Sequence, residues 1–284
     1  MTELHVRQLW IYPVKSLGGM QMDEVRITPA GSFEGDREWV IVNPRNEKLW
    51  QGDIPRMTLV ATALTDTALT LRASGMAPLS IARHHPGPSA VITMYKQSFP
   101  GIDAGDAAAA WLAQALGQPV RLVRVGQGAH QRRDLNPVHV LSDASLAALN
   151  GALAARGDHA VEAERFRPNI VLGPADGEAF IEERLQTIRF GNAVLRFREP
   201  CIRCELPNIS RIDASREKQP LKLIGTLSKT RPTAAPASFG IYAQVEGAGM
   251  LSIGMVADSD YLDSIGGTLN EWASPEDDLA YRDL

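Results

Sequence analysis

The order of the secondary-structure patterns constrains the fold most, because short strand-like segments outnumber helical ones and do not alternate with them regularly. The segments LHVRQLWIYPVKSL and REWVIVN have the apolar content of strands, with Pro13 where a strand ends or bulges. MTLVATALTDTALTLRA predicts two strands joined around Thr65, Asp66 and Thr67. Regular alternation of strands and helices would predict a parallel sheet covered by helices. Its absence favours a mainly β fold of the barrel type with a few helices, an α+β class.

Two helices and one hairpin have specific local signals. DAGDAAAAWLAQALG predicts a helix with Asp106 at its N-cap and Gly117 just after its C-terminus. VHVLSDASLAALNGAL predicts a strand that runs into a helix capped by Ser142 or Asp143. LQTIRFGNAVLRFREP predicts two strands joined at Gly191-Asn192, because this dipeptide type favours tight hairpin turns.

The composition narrows the class of protein and the compartment. The chain has 284 residues, 44% of them apolar, a formal net charge of −4 and two cysteines. The negative charge disfavours nucleic acid and anionic membranes as partners. No segment approaches 18 consecutive apolar residues, and the N-terminus has no basic region followed by an apolar run. We therefore expect a cytoplasmic protein with no nucleic-acid partner and no membrane span.

Both cysteines lie in one short segment, REPCIRCELPN, so the question is what Cys201 and Cys204 do together. A disulfide oxidoreductase would need the pair at a helix N-terminus, whereas this pair follows a predicted strand and precedes Pro207. Structural zinc usually takes four ligands, and the six histidines include no pair at ligand spacing. Two interpretations stay open, namely buried thiols that only fill space and a thiolate that binds a soft metal held by an organic cofactor.

The cofactor interpretation requires cations that neutralise the charges of the cofactor. Arg203 lies between the two cysteines and favours thiolate over thiol. Three further stretches carry cations in unusual settings, namely YPVKS with Lys15 and Ser16, GDREWV with Arg37, and RFRPN with Arg167. Each stretch alone is also typical of a solvated strand end. If they converge from separate segments, they form the kind of site that binds a phosphate.

Six motifs in register resemble those of the MOSC-domain family. They are IYPVKS, GDREWVIV, LSDASLAALN, RFRPNIVL, PCIRCELPNI and FGIYAQV, and they span residues 10 to 245. The subgroup that this chain is similar to includes the amidoxime-reducing proteins of mitochondria and their bacterial relatives. The resemblance implies an N-terminal β-barrel-like domain over 1–118, a MOSC-type β-barrel domain over 119–260 and an acidic C-terminal tail over 261–284.

The resemblance also implies a molybdenum cofactor of the molybdopterin form between the two domains. The metal ligand is then Cys204, with Cys201 as the alternative. The residues implied in cofactor binding are Lys15, Ser16, Arg37, Asp134, Leu135, Asn136, Arg167, Ile202, Arg203 and Tyr242. Ile202 stands where the family commonly has a hydroxyl residue, and this change bears on the substrate pocket more than on the cofactor.

The activity that the resemblance implies is the reduction of N-hydroxylated or N-oxide-type small molecules, with Cys204 as the catalytic metal ligand. No cysteines remain for an iron–sulfur cluster, so electrons are expected from a separate donor protein. The alternative from a different class is a cofactor carrier or sulfur-transfer module. In that case a persulfide on Cys204 or Cys201 would replace reductase turnover.

Overall fold

The computed structural model describes residues 3–126, 137–174, 177–231 and 235–258. These ranges contain sixteen strands and three α-helices, so the prediction of a mainly β fold with a few helices is confirmed. The predicted loop contacts Asp134, Leu135 and Asn136 and the acidic tail lie outside the described residues. The strands and helices are β1 (Leu4–Ile11), β2 (Met20–Met22), β3 (Glu24–Ile27), β4 (Trp39–Val42), β5 (Ala61–Leu64), β6 (Ala68–Arg72), β7 (Leu79–Ala82), β8 (Ser89–Met94), β9 (Gln97–Asp103), α1 (Asp106–Leu116), β10 (Arg121–Arg124), β11 (Val138–Ser142), α2 (Asp143–Ala154), β12 (Ile170–Pro174), β13 (Thr187–Phe190), β14 (Ala193–Ile202), α3 (Leu221–Leu227), β15 (Ser238–Glu246) and β16 (Gly249–Ser252).

The largest sheet has seven strands in the order β13-β14-β15-β11-β12-β1-β2. Its pairs are antiparallel except for β11 and β12, which are parallel and are connected through α2. Among the described residues the two outermost strands, β13 and β2, do not pair with each other. The sheet is therefore open there, whereas the sequence led us to expect closed barrels. Strand β2 has only three residues, which leaves little backbone for a further pairing.

Two smaller sheets form a second layered region. One has the order β4-β10-β9-β8 and the other the order β5-β6-β7. Their core contains Trp39, Leu69, Leu112 and Leu122, which are almost completely buried, and Leu112 comes from α1. The segment after β1 connects the two regions, because Val14 forms a bridge with Trp39 and the Lys15 amide donates to the Trp39 carbonyl at 2.8 Å.

The local predictions for the helices and the hairpin are confirmed with one correction. Ser142 is the N-cap of α2, and its Oγ accepts from the Ser145 amide at 3.1 Å. Gly117 ends α1 in the left-handed conformation, with φ of 80°. The prediction of Asp106 as the N-cap of α1 is wrong, because Gly105 occupies that position. The structural reason is that the Asp103 carboxylate accepts from the Gly105 amide at 2.7 Å.

The hairpin predicted at Gly191-Asn192 is present, since β13 ends at residue 190 and β14 begins at residue 193. Strand β14 then continues to Ile202, so Cys201 lies within its last two residues. No helix in the described ranges is long and apolar enough to cross a membrane.

Candidate functional site

A cleft of about 410 Å³ lies where the segment after β1 meets the C-terminal end of β14. Its wall contains side chains from the N-terminal segment, from the residues before β12, and from β14 and β15. The described part of the chain thus brings all of its sequence-predicted site residues into one cleft, namely Lys15, Ser16, Arg37, Arg167, Cys201, Ile202, Arg203, Cys204 and Tyr242. Its volume falls within the usual range for small-molecule sites.

Four residues in the wall of this cleft have left-handed backbone conformations. The φ angles are 70° at Ser16, 51° at Arg37, 54° at Tyr95 and 55° at Arg167. This region costs a non-glycine residue about 1 kcal/mol or more, because Cβ approaches its own backbone. Such strain tends to cluster at functional sites, where the surrounding structure holds it. The strained backbone at these four residues therefore orients their side chains in the cleft at some cost in stability.

Two of the cations are fixed on a buried aromatic ring. The guanidinium carbons of Arg37 and Arg167 lie 5.0 Å and 4.0 Å from the ring centroid of Tyr12, which is fully buried. The Tyr12 hydroxyl donates to the Pro168 carbonyl at 3.1 Å, which holds the ring in place. Arg37 also pairs with Asp36 and donates to Asn169 at 3.1 Å. The cation–π contacts stabilise both guanidinium groups without neutralising them.

Arg167 and Lys15 carry positive charges that no carboxylate in the described lining of the cleft balances. Burial and, to a lesser extent, the nearby charge of Arg37 lower the pKa of Arg167 to about 10. Burial also lowers the pKa of Lys15, although Tyr95 opposes the shift. The pKa of Arg37 moves upward instead, because the charge and hydrogen bond of Asp36 outweigh burial. Among the described residues that line the cleft, none is Asp or Glu.

Of the described arginines that line the cleft, two have a buried guanidinium nitrogen without a partner. These nitrogens are Nη2 of Arg167 and Nε of Arg203. A buried donor without an acceptor is disfavoured by about 1–3 kcal/mol, and by more when it is charged. A ligand with several anionic oxygens would satisfy such donors and neutralise the excess charge. The cleft is therefore built for an anion.

Cys201 is the buried member of the cysteine pair and has the environment of a thiolate. Its side chain is 1% exposed, and Nη1 of Arg203 donates to its Sγ at 2.8 Å. Burial alone would raise the pKa of the thiol, but the charges of Arg203 and His139 outweigh it and bring the pKa to about 6. Nη2 of Arg203 donates to the Phe166 carbonyl at 2.9 Å, which fixes the guanidinium beneath the cleft.

Cys204 lies beyond the end of β14 and is exposed at the cleft. Both cysteines are free thiols rather than a disulfide. Within the described ranges, no three His, Cys, Asp or Glu side chains group as ligands of a metal ion. A metal at Cys204 would thus need its remaining ligands from a bound organic group, as the sequence interpretation requires.

The cleft contains six further residues that the sequence reasoning missed. Four of them have aromatic or imidazole side chains, and one is a leucine. The sixth is a lysine, which adds a third cation from the N-terminal half of the chain to the cleft. Phe166 and Leu206 lie within the motifs RFRPNIVL and PCIRCELPNI, but they have no charge or thiol that would mark them as site residues. The other four lie outside the quoted motifs and reach the cleft through tertiary contacts. The six residues are Lys48, Trp50, Tyr95, His139, Phe166 and Leu206.

Two family models match the chain, and together they cover most of its length. The MOSC N-terminal beta barrel domain matches residues 3–119, and the MOSC domain matches residues 127–257. The chain belongs to the family of MOSC-domain proteins with a MOSC N-terminal beta barrel domain.

Within that family the chain is similar to amidoxime-reducing proteins. It is 29% identical over 278 residues to mitochondrial amidoxime-reducing component 1 of Homo sapiens, covering 88% of this chain and 81% of that protein. It is 29% identical over 283 residues to mitochondrial amidoxime reducing component 2 of Rattus norvegicus, with the same coverage. The molybdenum cofactor sulfurase of Danio rerio is 27% identical over 265 residues, covering 82% of this chain and 31% of that protein. These relatives include proteins named as mitochondrial, so the cytoplasmic location stays a prediction.

Proposed function

We propose that the cleft binds a molybdenum–molybdopterin cofactor and that the protein reduces N-hydroxylated or N-oxide-type small molecules with electrons from a separate donor protein. The observation that carries the proposal is the pair of unpartnered buried guanidinium donors, on Arg167 and Arg203, in a cleft whose described lining has no carboxylate. The names of the relatives, which refer to amidoxime reduction and to the molybdenum cofactor, support the same direction.

The described residues fit such a cofactor. Its phosphate would meet Arg37 and Arg167, which Tyr12 holds in fixed positions, together with Lys15 and Ser16. The main chain of Ile202 and the side chain of Arg203 would meet the pterin side. The proposed main-chain contacts of Asp134, Leu135 and Asn136 belong to the same expectation. When bound, the cofactor supplies a metal centre that exchanges oxygen and electrons with the substrate.

Cys204 is the proposed metal ligand, because its thiol is exposed at the cleft. Cys201 is the alternative ligand, but its sulfur already accepts from Arg203 at 2.8 Å and is almost fully buried. In that position the Cys201 thiolate neutralises Arg203 and holds its guanidinium in place. This division of roles leaves the Cys204 side of the cleft open for a substrate.

The first test is elemental analysis of freshly purified protein together with turnover of an amidoxime by an artificial reductant. We expect near-stoichiometric molybdenum and reduction of the amidoxime. Replacing Cys204 by Ala should abolish turnover while the circular dichroism spectrum stays unchanged, because the side chain is exposed. Wild-type rates in this variant would contradict the role of Cys204 as the ligand.

The second test concerns the phosphate site. Arg167→Ala should weaken cofactor retention roughly ten- to a hundredfold, because a charge-assisted contact contributes about 1.5–3 kcal/mol. Arg26→Ala is the matched control, since its exposed side chain pairs with Glu34 at the surface and does not line the cleft. Retention measured as molybdenum per chain after dialysis distinguishes them. Full retention in Arg167→Ala would overturn the phosphate assignment.

A second candidate function is a cofactor carrier or sulfur-transfer module. The exposed free thiol of Cys204 is the observation that favours it, since a persulfide must be reachable by an acceptor. A persulfide on Cys204 in protein that contains no molybdenum and reduces no amidoxime would support this function over the reductase. Stoichiometric molybdenum with turnover would exclude it as the main activity.

A further inference from the structure

One side of the cleft is formed by three residues that the cofactor assignment does not use. We call Lys48, Trp50 and Tyr95 the outer wall. The Lys48 Nζ lies 5.3 Å from the ring centroid of Tyr95 and 5.9 Å from that of Trp50. An ammonium group within about 6 Å of two aromatic rings is stabilised by both of them. The wall thus joins two flat apolar surfaces to one positive charge.

The backbone around Tyr95 is strained, and the strain holds the ring in the cleft. Met94 and Gln97 pair at the end of the β8–β9 hairpin, which leaves Tyr95 and Lys96 as a two-residue turn. Their φ angles are 54° and 62°. Turns with positive φ at both central positions strongly favour Asn-Gly, because β-carbons are disfavoured there. A tyrosine in this position is an outlier of the kind that points to function.

Lys48 and Trp50 are also held by their surroundings. The Lys48 amide donates to the Thr93 carbonyl at 2.9 Å, and this contact fixes Lys48 beside the strand that leads to Tyr95. The indole of Trp50 packs directly on Gly52, where a β-carbon would lie 2.3 Å from Cζ2 of the ring. Only glycine permits this packing. The three side chains are therefore a built surface rather than a chance cluster.

The chemistry of the outer wall selects one type of ligand. Tyr95 is 52% exposed, and the Nζ atoms of Lys15 and Lys48 both lie 5.3 Å from its ring centroid, so the exposed part of the ring can stack with a planar group beside two positive charges. Lys48 has no carboxylate partner within the described part of the chain, so its charge is available to an anion. A planar aromatic compound that carries a carboxylate matches both features. A neutral compound of the same shape would match only the stacking surface.

We propose that the outer wall is a substrate subsite that binds planar aromatic compounds carrying a carboxylate. This inference rests on the proposed reductase function and names its substrate class, because the wall and Cys204 line the same cleft. Among N-hydroxylated compounds, the protein then prefers those whose ring carries a negative charge. Stacking on Tyr95 and Trp50 orients the ring, and Lys48 holds the carboxylate at the outer end.

The test compares the binding of 4-carboxybenzamidoxime with that of neutral benzamidoxime by isothermal titration calorimetry, on protein as purified. Wild-type protein is expected to bind the carboxylate compound at least about tenfold more tightly. Lys48→Gln should remove this preference without changing the affinity for the neutral compound. Tyr95→Ala should weaken both compounds, since it removes the stacking surface. Lys96→Gln is the control, because Lys96 lies in the same turn but does not line the cleft, and it should retain the preference.

Two results would overturn the subsite. One is equal affinity of wild-type protein for the two compounds. The other is loss of molybdenum from Lys48→Gln to the same extent as from Arg167→Ala, which would assign Lys48 to the cofactor phosphate. A Lys48-dependent binding preference without any turnover supports the subsite and contradicts the reductase. The calorimetry therefore separates a failure of this inference from a failure of the proposed function.

Discussion

At the scale of single residues, the two cysteines of one short motif have different environments. Cys201 is at the buried end of β14, and Arg203 reaches back to donate to its sulfur. Cys204 follows the end of the strand, where the chain leaves the sheet, and is exposed. Both cysteines line the cleft, and three residues of separation make one thiol buried and the other exposed. The buried sulfur accepts a hydrogen bond from an arginine, and the exposed thiol is the one that we propose as the metal ligand.

The ionisation of Cys201 should be measurable as an ultraviolet thiolate signal. In a Cys204→Ser background only Cys201 titrates, and we expect a midpoint near its pKa of about 6. Because the folded pKa lies below the ordinary value of about 8.5, the thiolate stabilises the fold. That contribution is complete above about pH 8.5 and is lost as the pH falls through about 6. Arg203→Ala should move the midpoint upward toward the ordinary range. A midpoint that stays near 6 in Arg203→Ala would contradict the role of Arg203.

The left-handed backbone at Arg167 gives a stability prediction that is independent of cofactor. At a φ of 55°, glycine is unstrained, whereas alanine keeps the penalty of its β-carbon. Arg167→Gly should therefore unfold at a higher denaturant concentration than Arg167→Ala, by about 1 kcal/mol in unfolding free energy. Both variants lack the guanidinium, so both should lose the cofactor equally. Equal stability of the two variants would show that this backbone is not strained.

Some site residues could be predicted from the sequence and others could not. Lys15, Arg37 and Arg167 stand out because each lies in a short motif beside a strand end. Tyr95 and Lys48 carry no such signal, since Tyr95 reaches the cleft from a hairpin turn and Lys48 through its contact with Thr93. Pattern reasoning follows neighbours along the chain, whereas these contacts join residues that are far apart in sequence.

At the scale of elements, helix ends show how local signals can be overridden. The cap of α2 follows the sequence, because Ser142 Oγ accepts from the Ser145 amide. At α1, Asp103 fixes Gly105 and also pairs with Arg121, so the chain turns one residue before Asp106. The serine signal was correct because its partner is local. The aspartate signal was wrong because a strand residue and β10 determine that turn.

This difference gives a matched pair of capping variants. Ser142→Ala should lower the unfolding free energy by about 1–2 kcal/mol, since it removes a buried N-cap. Asp106→Ala should lower it by no more than about 0.5 kcal/mol, because its carboxylate is exposed and contributes only a surface ion pair with Arg121. Thermal unfolding followed by circular dichroism measures both. A larger effect at Asp106 than at Ser142 would reverse this assignment of the caps.

At the scale of the whole molecule, the N-terminal strands belong to sheets that the C-terminal half completes. Strand β1 pairs with β12 through contacts that run from Leu4 to Leu9, and β3 pairs with β16. The buried Leu4, Val6 and Leu9 pack in the same core as residues of β11 and β15. The predicted domain limits at 118 and 119 stay a prediction, and these pairings make them testable. Dividing the chain between residues 118 and 119 would separate strands that share a sheet.

We expect a fragment of residues 119–258 to lack a cooperative unfolding transition. Without β1 and β2, strand β12 loses one neighbour and the core residues Ile170 and Leu172 become exposed. Co-expression with residues 1–118 should restore cooperative unfolding, because it returns the missing strands. The two samples can be compared by thermal denaturation and by the dispersion of amide signals in NMR spectra. Cooperative unfolding of the isolated fragment would support independent domains instead.

The pairing of β3 with β16 also fixes when the protein can finish folding during its synthesis. More than two hundred residues separate the two strands, and ribosomes add roughly 5–20 residues each second, so β3 waits on the order of tens of seconds for its partner. During that interval Val25 and Ile27, which are buried in the finished protein, have no strand to cover them. The nascent chain thus carries an apolar strand without its partner until Gly249–Ser252 has left the ribosome.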